Sequence, residues 1–274
     1  MAPTRRTDSR AESSGPEPII MYDFAAWIKP PAPTDTAAAD YWHESARPLT
    51  SLIFVLPLLV TYELGVIVLG PHAMRNGADA WLRLLLDHLG FGQYFILPVI
   101  TCFTLYAWHH LSRREGTVHH RTFALMIVEC AFLAFILLSL ARLQFRVLGS
   151  IAITALPTPP TMATSTGVIG FLGAGIYEEL LFRLMMLPVI AGALRFFGES
   201  SRVSMITAIF TSSLLFSAAH YESFIGYGEP LELTSFAFRC SAGIFFCLLF
   251  VYRGFGVAVG VHTLYDIYAG MIST

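Results

Sequence analysis

From about residue 49 the chain alternates long apolar runs with short polar stretches. Leu49–Gly70, Tyr94–Leu111, Phe123–Ala141, Thr164–Leu194, Val203–His220, Ser235–Tyr252 and Gly254–Ile272 are each long enough, at about 1.5 Å per helical residue, to approach or cross a hydrocarbon layer about 30 Å thick. The pattern predicts an all-α, polytopic membrane protein of about seven transmembrane helices. Between the first two runs, Gly77–Gly90 sets Trp81, Leu82, Leu85 and Leu89 on one helical face and Asp79, Arg83 and Asp87 on others, as in a short helix lying in the interface. Residues 1–40 are rich in Pro, Ser, Ala and charge and lack an apolar core, so they read as a disordered tail and not as a signal peptide. Tyr41–Pro48 then leads into one transmembrane domain, residues 41–274. Pro157, Pro159 and Pro160 bar regular helix from Ser150–Thr164, which reads as a connector able to cover a neighbouring site.

Composition narrows the class. Of 274 residues, 55% are hydrophobic and only 13% charged, and the mean hydropathy of +0.63 belongs to a lipid-embedded protein. A net charge of −2 offers no basic surface, which excludes nucleic acid as a partner. Cys102, Cys130, Cys240 and Cys247 lie in apolar runs without metal-ligand spacing and read as packing thiols. His109, His110, His119 and His120 flank a loop with Arg113, Arg114 and Arg121, and read as part of a solvated basic loop. Lys and Arg counts put the tail, Ser112–Arg121, Arg195–Arg202 and Arg253 on the cytoplasmic side, with the N-terminus inside and the C-terminus outside. The expected location is a bacterial inner membrane.

The costly residues carry the chemistry. In the fourth run, Glu178, Glu179 and Arg183 sit inside some thirty apolar positions, where one charge at mid-membrane costs about 2.5 to 3.5 kcal/mol on insertion scales. Glu179 and Arg183 are four apart and can pair on one helical face, whereas Glu178 is turned by about 100° and has no helical partner. Two further helices bring imidazoles: His220 ends the fifth run after Phe216, and His262 stands four residues before Asp266 in the seventh, a spacing at which a carboxylate can orient the ring. A carboxylate and two imidazoles meeting at one point can hold a water, take its proton and stabilise an oxyanion. Glu63 reads as a pairing or packing residue, and Arg239 as a counter-ion for Glu129, Glu178 or Asp266. Gly170, Gly173 and Gly175, and Gly256 with Gly260, provide small faces for close helix approach.

In order, Glu-Glu-x-x-x-Arg (Glu178, Glu179, Arg183), Phe-x-x-x-His (Phe216, His220) and His-x-x-x-Asp (His262, Asp266) resemble the motifs of the CPBP family, the type II CAAX prenyl proteases and the related bacterial proteins also called the Abi family. The resemblance covers Gly170–Ile272 and sets the family core at about 164–272. It implies an intramembrane glutamic-type endopeptidase in which Glu178 activates water, His220 and His262 hold that water and polarise the scissile carbonyl, Glu179 supports the site, Arg183 holds Glu179, and Phe216 is a supporting residue. The commonest family pattern ends in Asn, whereas Asp266 donates to an oxyanion only when protonated. No cofactor is implied; two His and one carboxylate are also zinc-ligand types, but no His-Glu-x-x-His is present. The expected partners are the bilayer and a membrane-anchored protein or peptide substrate. Two other functions fit the composition: a non-enzymatic bacteriocin-immunity or scaffold protein, and a proton-coupled transporter relaying through Glu63, Glu129, Glu178 and Glu179, which would call for inverted repeats that the sequence lacks.

Overall fold

The computed structural model describes residues 37–272 apart from 74, 93–94, 113–117, 150–164 and 227. The predicted tail up to residue 36, Arg113 and Arg114, and the Pro-rich connector lie outside the described residues. Within them, regular structure is helical, with one isolated bridge pairing Tyr221 and Glu229. The helices are α1 (Ala37–Ser45), α2 (Pro48–Leu69), α3 (Gly77–His88), α4 (Ile96–Ser112), α5 (His120–Gly149), α6 (Ser165–Gly173), α7 (Leu187–Phe196), α8 (Ser201–Ala218), the single turn α9 (Glu222–Ile225), α10 (Leu233–Arg253) and α11 (Phe255–Ile272).

Among the described residues, four helices are long and apolar enough to cross a membrane: Pro48–Leu69, His120–Val147, Ser201–Ala218 and Leu233–Arg253. The other three predicted spans are helical but do not meet that test among the described residues. Helix α4 has 17 residues, about 25 Å at the helical rise. The Glu-Glu-Arg stretch is interrupted by wider turns.

Helix α11 is the centre of the packing, contacting α2, α5, α10 and the segment that carries Glu178. Missing side chains let it approach. A Cβ on Gly256 would stand 3.0 Å from Ser51 Cα, one on Gly260 2.6 Å from Cys130 Sγ, and one on Gly175 2.0 Å from Thr263 Oγ1. The small faces predicted from Gly175, Gly256 and Gly260 are therefore contact surfaces. A single residue, Gly254, joins α10 to α11 at φ +83°, and a Cβ there would press on the Ala46 backbone at 3.1 Å.

The Glu-Glu-Arg stretch is not plain α-helix. Between α6 and α7 the backbone widens into π-turns at Ala174–Glu178 and Leu180–Met186. Pro188 falls in the first turn of α7, where its absent N–H removes a donor from the turn before it. The irregularity thus lies upstream of Pro188, around the charges.

Helix α3 forms over the predicted stretch and turns part of its polar side inward. Leu85 and Leu89 are exposed, whereas Ala78, Leu82 and the carboxylate of Asp79 are buried. The reason is polar: Asp79 accepts from Tyr62 Oη at 2.7 Å, Arg75 Nη1 at 2.8 Å and Arg83 Nε at 2.6 Å. Two other charges also find partners that sequence spacing did not indicate. Arg253 is buried, and its guanidinium forks onto Glu129 at 2.6 and 2.7 Å, beside Tyr41 Oη on the same carboxylate. Arg239 pairs with Glu229 at 2.8 Å and bonds Tyr221 Oη and Ser235 Oγ, so Glu129, Glu178 and Asp266 are not its ion-pair partners.

Candidate active site

The buried stretch 171–180 delivers Glu178 and Glu179 to the interior between α3 and α11. In a wide π-turn, successive side chains diverge by less than the 100° of an α-helix, and such turns recur at functional sites. Here it lets adjacent glutamates serve one imidazole. His262 Nδ1 lies 2.7 Å from Glu179 Oε1, while its Nε2 lies 3.7 Å from Glu178 Oε2. Its ring stacks on Phe246 at 4.5 Å and 13°, which fixes the plane.

His220 follows α8, in the turn that ends it. Its Nδ1–H donates to the Phe216 carbonyl at 2.8 Å, and its Nε2 points at Glu178 Oε2 from 3.9 Å. The backbone here is held by α10: Glu229 N–H donates to His220 O at 2.9 Å, and Arg239 grips Glu229. Both Nδ1 atoms face acceptors, so each neutral ring carries its proton there and turns the Nε2 lone pair toward the same carboxylate oxygen.

Glu179 and Arg183 form the predicted ion pair, fully buried, at 3.0 Å. Arg183 Nη2 reaches the Gly243 carbonyl at 3.4 Å, and the guanidinium carbon lies 4.3 Å over the Phe216 ring and 5.2 Å over Phe246. Cation–π contact of this kind is worth most where water is excluded. Phe216 therefore touches Arg183 and, through ring contacts, His220 and His262. Asp266 completes the group, with Oδ2 3.7 Å from His262 Nε2. All seven residues singled out from sequence come together. Among the described residues no set of three or more His, Cys, Asp or Glu side chains has metal-holding geometry.

Sequence reasoning missed the polar shell on the far side of Glu178. Asn76 Nδ2 donates to Glu178 Oε1 at 2.7 Å, across 102 residues of chain. Glu63 accepts from Arg83 at 2.8 Å and from Tyr177 Oη at 2.5 Å, so it anchors the residue next to the base candidate. Glu63 and Arg83 were visible as charges in or beside the membrane; Asn76, a neutral polar residue before a short helix, carried no signal.

Acid, imidazole and guanidinium groups thus meet at the centre of a helical bundle that includes helices apolar enough to cross a membrane. Residues 160–268 match the family model described as Type II CAAX prenyl endopeptidase Rce1-like. That stretch contains every motif residue from Glu178 to Asp266 and is similar to the CAAX proteases, a family of membrane proteases. No curated protein and no solved structure matches it.

Proposed function

We propose that this protein is an intramembrane endopeptidase that hydrolyses a peptide bond of a membrane-anchored protein or peptide with water activated by Glu178. The observation that carries the reading is the convergence of two imidazole Nε2 atoms on Glu178 Oε2, at 3.7 and 3.9 Å, with both Nδ1 atoms engaged elsewhere. Those separations exceed a direct hydrogen bond, and a water held against Oε2 lies within reach of either Nε2 atom. Glu178 takes a proton from the water as the water oxygen bonds to the scissile carbonyl carbon. The C–N bond then breaks, and the proton on Glu178 passes to the departing amine. His220 and His262 orient the water, Glu179 and Arg183 hold the His262 ring, and Asp266, when protonated, donates to the oxyanion. The scheme needs no metal. In this reading α4, the Glu-Glu-Arg helix and α11 complete seven crossings, and the distribution of Lys and Arg over the loops favours a cytoplasmic N-terminus.

The test compares the termini of membrane proteins in cells lacking the protein and complemented with wild type or Glu178→Gln at equal expression. The expected result is one or more new termini that appear only with wild type. Full processing by Glu178→Gln overturns the reading and leaves a binding or scaffold role.

A further inference from the structure

Asn76 precedes α3 with extended backbone torsions, φ −63° and ψ 148°, and caps the helix: its Oδ1 accepts from Ala78 N–H at 2.8 Å. The cap decides which end of the amide is which. With Oδ1 engaged on the helix, Nδ2 is the end that meets Glu178 Oε1 at 2.7 Å. A flipped amide would oppose two acceptors at Glu178 and turn an NH₂ group on the Ala78 N–H.

The capped helix is itself anchored. Asp79 is held by Tyr62, Arg75 and Arg83, and Arg83 reaches Glu63, which also takes the hydroxyl of Tyr177. Asn76 is therefore presented from a fixed mount and not from a free loop. With Oε1 bound from that side, Oε2 is the oxygen turned to His220 and His262.

We propose that Asn76 is a positioning residue for the general base, selecting Glu178 Oε2 as the oxygen that receives the proton from water. This rests on the endopeptidase reading above. Without the amide, the carboxylate is free to rotate about its last torsion, and both oxygens compete for the imidazole side.

The experiment uses full-length protein in proteoliposomes, acting on a substrate identified through a Glu178-dependent terminus. Asn76→Ser retains a good N-cap, since Ser accepts from the same backbone N–H, but is too short to reach Glu178. The expected result is a kcat lowered about 10- to 100-fold, the worth of a hydrogen bond to a charged group, with KM within about twofold. Asn76→Asp also retains the cap and regains a donor only when its new carboxyl is protonated, so its activity relative to wild type rises as pH falls. In the absence of substrate, the carboxylate infrared band that disappears in Glu178→Gln is displaced in Asn76→Ser. A wild-type kcat in Asn76→Ser, a flat pH ratio for Asn76→Asp or an unmoved band overturns the proposal. If Glu178→Gln is inactive while Asn76→Ser is fully active, only the role of Asn76 fails. If Glu178→Gln is fully active, the base assignment fails with it.

Discussion

Gly175→Ala measures how closely the glutamate segment and α11 must fit. The new methyl would stand 2.0 Å from Thr263 Oγ1 and 3.0 Å from Thr263 N. Turning the Thr263 side chain relieves the first clash. The second is with backbone, so reaching an ordinary 3.4 Å contact moves α11 by 3.4 − 3.0, or 0.4 Å. Overpacking of this kind costs about 1 to 3 kcal/mol, while Ala gains about 1 kcal/mol over Gly in a helix. Gly192→Ala in α7 provides the reference, because nothing lies within 4 Å of its Cβ. It shares the propensity gain and lacks the clash. Unfolding is followed in detergent with a maleimide dye in a background carrying Cys102→Ser and Cys240→Ser, since Cys102 and Cys240 are partly exposed while Cys130 and Cys247 are free and fully buried until the bundle opens. The expected order is Gly192→Ala at or above wild type and Gly175→Ala below Gly192→Ala by about 1 to 3 kcal/mol. Because His262 adjoins Thr263, proteolysis should fall by at least about tenfold as well, as small misplacements of reacting groups do. A Gly175→Ala protein as stable and active as Gly192→Ala would refute the idea that this helix contact sets the site geometry.

Asp266→Asn replaces a conditional donor by a permanent one; kcat of this variant should become less dependent on pH across the neutral range, and an unchanged profile would count against an oxyanion role for residue 266. Glu44, on α1 and before the first candidate span, is pushed up by burial but held below the usual carboxylate range overall by the backbone N–H and ring of His119 and by Thr122. A carboxyl lowered on folding adds stability above its unfolded value of 4.5 and loses it as pH falls through the folded value. Glu44→Gln should therefore lower the melting temperature at pH 7 and make little difference at about pH 3; equal losses at both would show that charge is not the cause. Treatment with a strong zinc chelator should leave proteolysis unchanged, whereas loss restored by added zinc would replace the metal-free scheme.

Much of the site was legible because charge in lipid is expensive. Glu178, Glu179, Arg183, His220, His262 and Asp266 stood out against apolar runs, and Glu179 with Arg183 showed their pairing through simple helical spacing. The rest depended on contacts that spacing does not encode. The reading of Glu178 as rotated away from Glu179 assumed α geometry, and the π-turns at Ala174–Glu178 and Leu180–Met186 arise where Pro188 withdraws a donor and Gly175 admits α11. Asp79 faces inward because Tyr62, Arg75 and Arg83 satisfy it, partners that the apolar stripe of α3 does not reveal. Glu129 and Arg253 meet across 124 residues, beyond any local pattern.

The one-residue joint at Gly254 makes α11 a depth gauge. With no slack between α10 and α11, His262 stands eight residues beyond the joint, about 12 Å along the helix axis. On the proposed reading, the scissile bond must be brought to that depth, where lipid offers a backbone no hydrogen-bonding partners and a substrate helix keeps its amides closed. Sequence preference would then be secondary to unwinding: the segments cut would be those whose Gly or Pro residues open at that level. Moving such a helix-breaking pair one turn along an otherwise constant transmembrane segment should abolish its cleavage, and unaltered cleavage would show that depth is not what is measured.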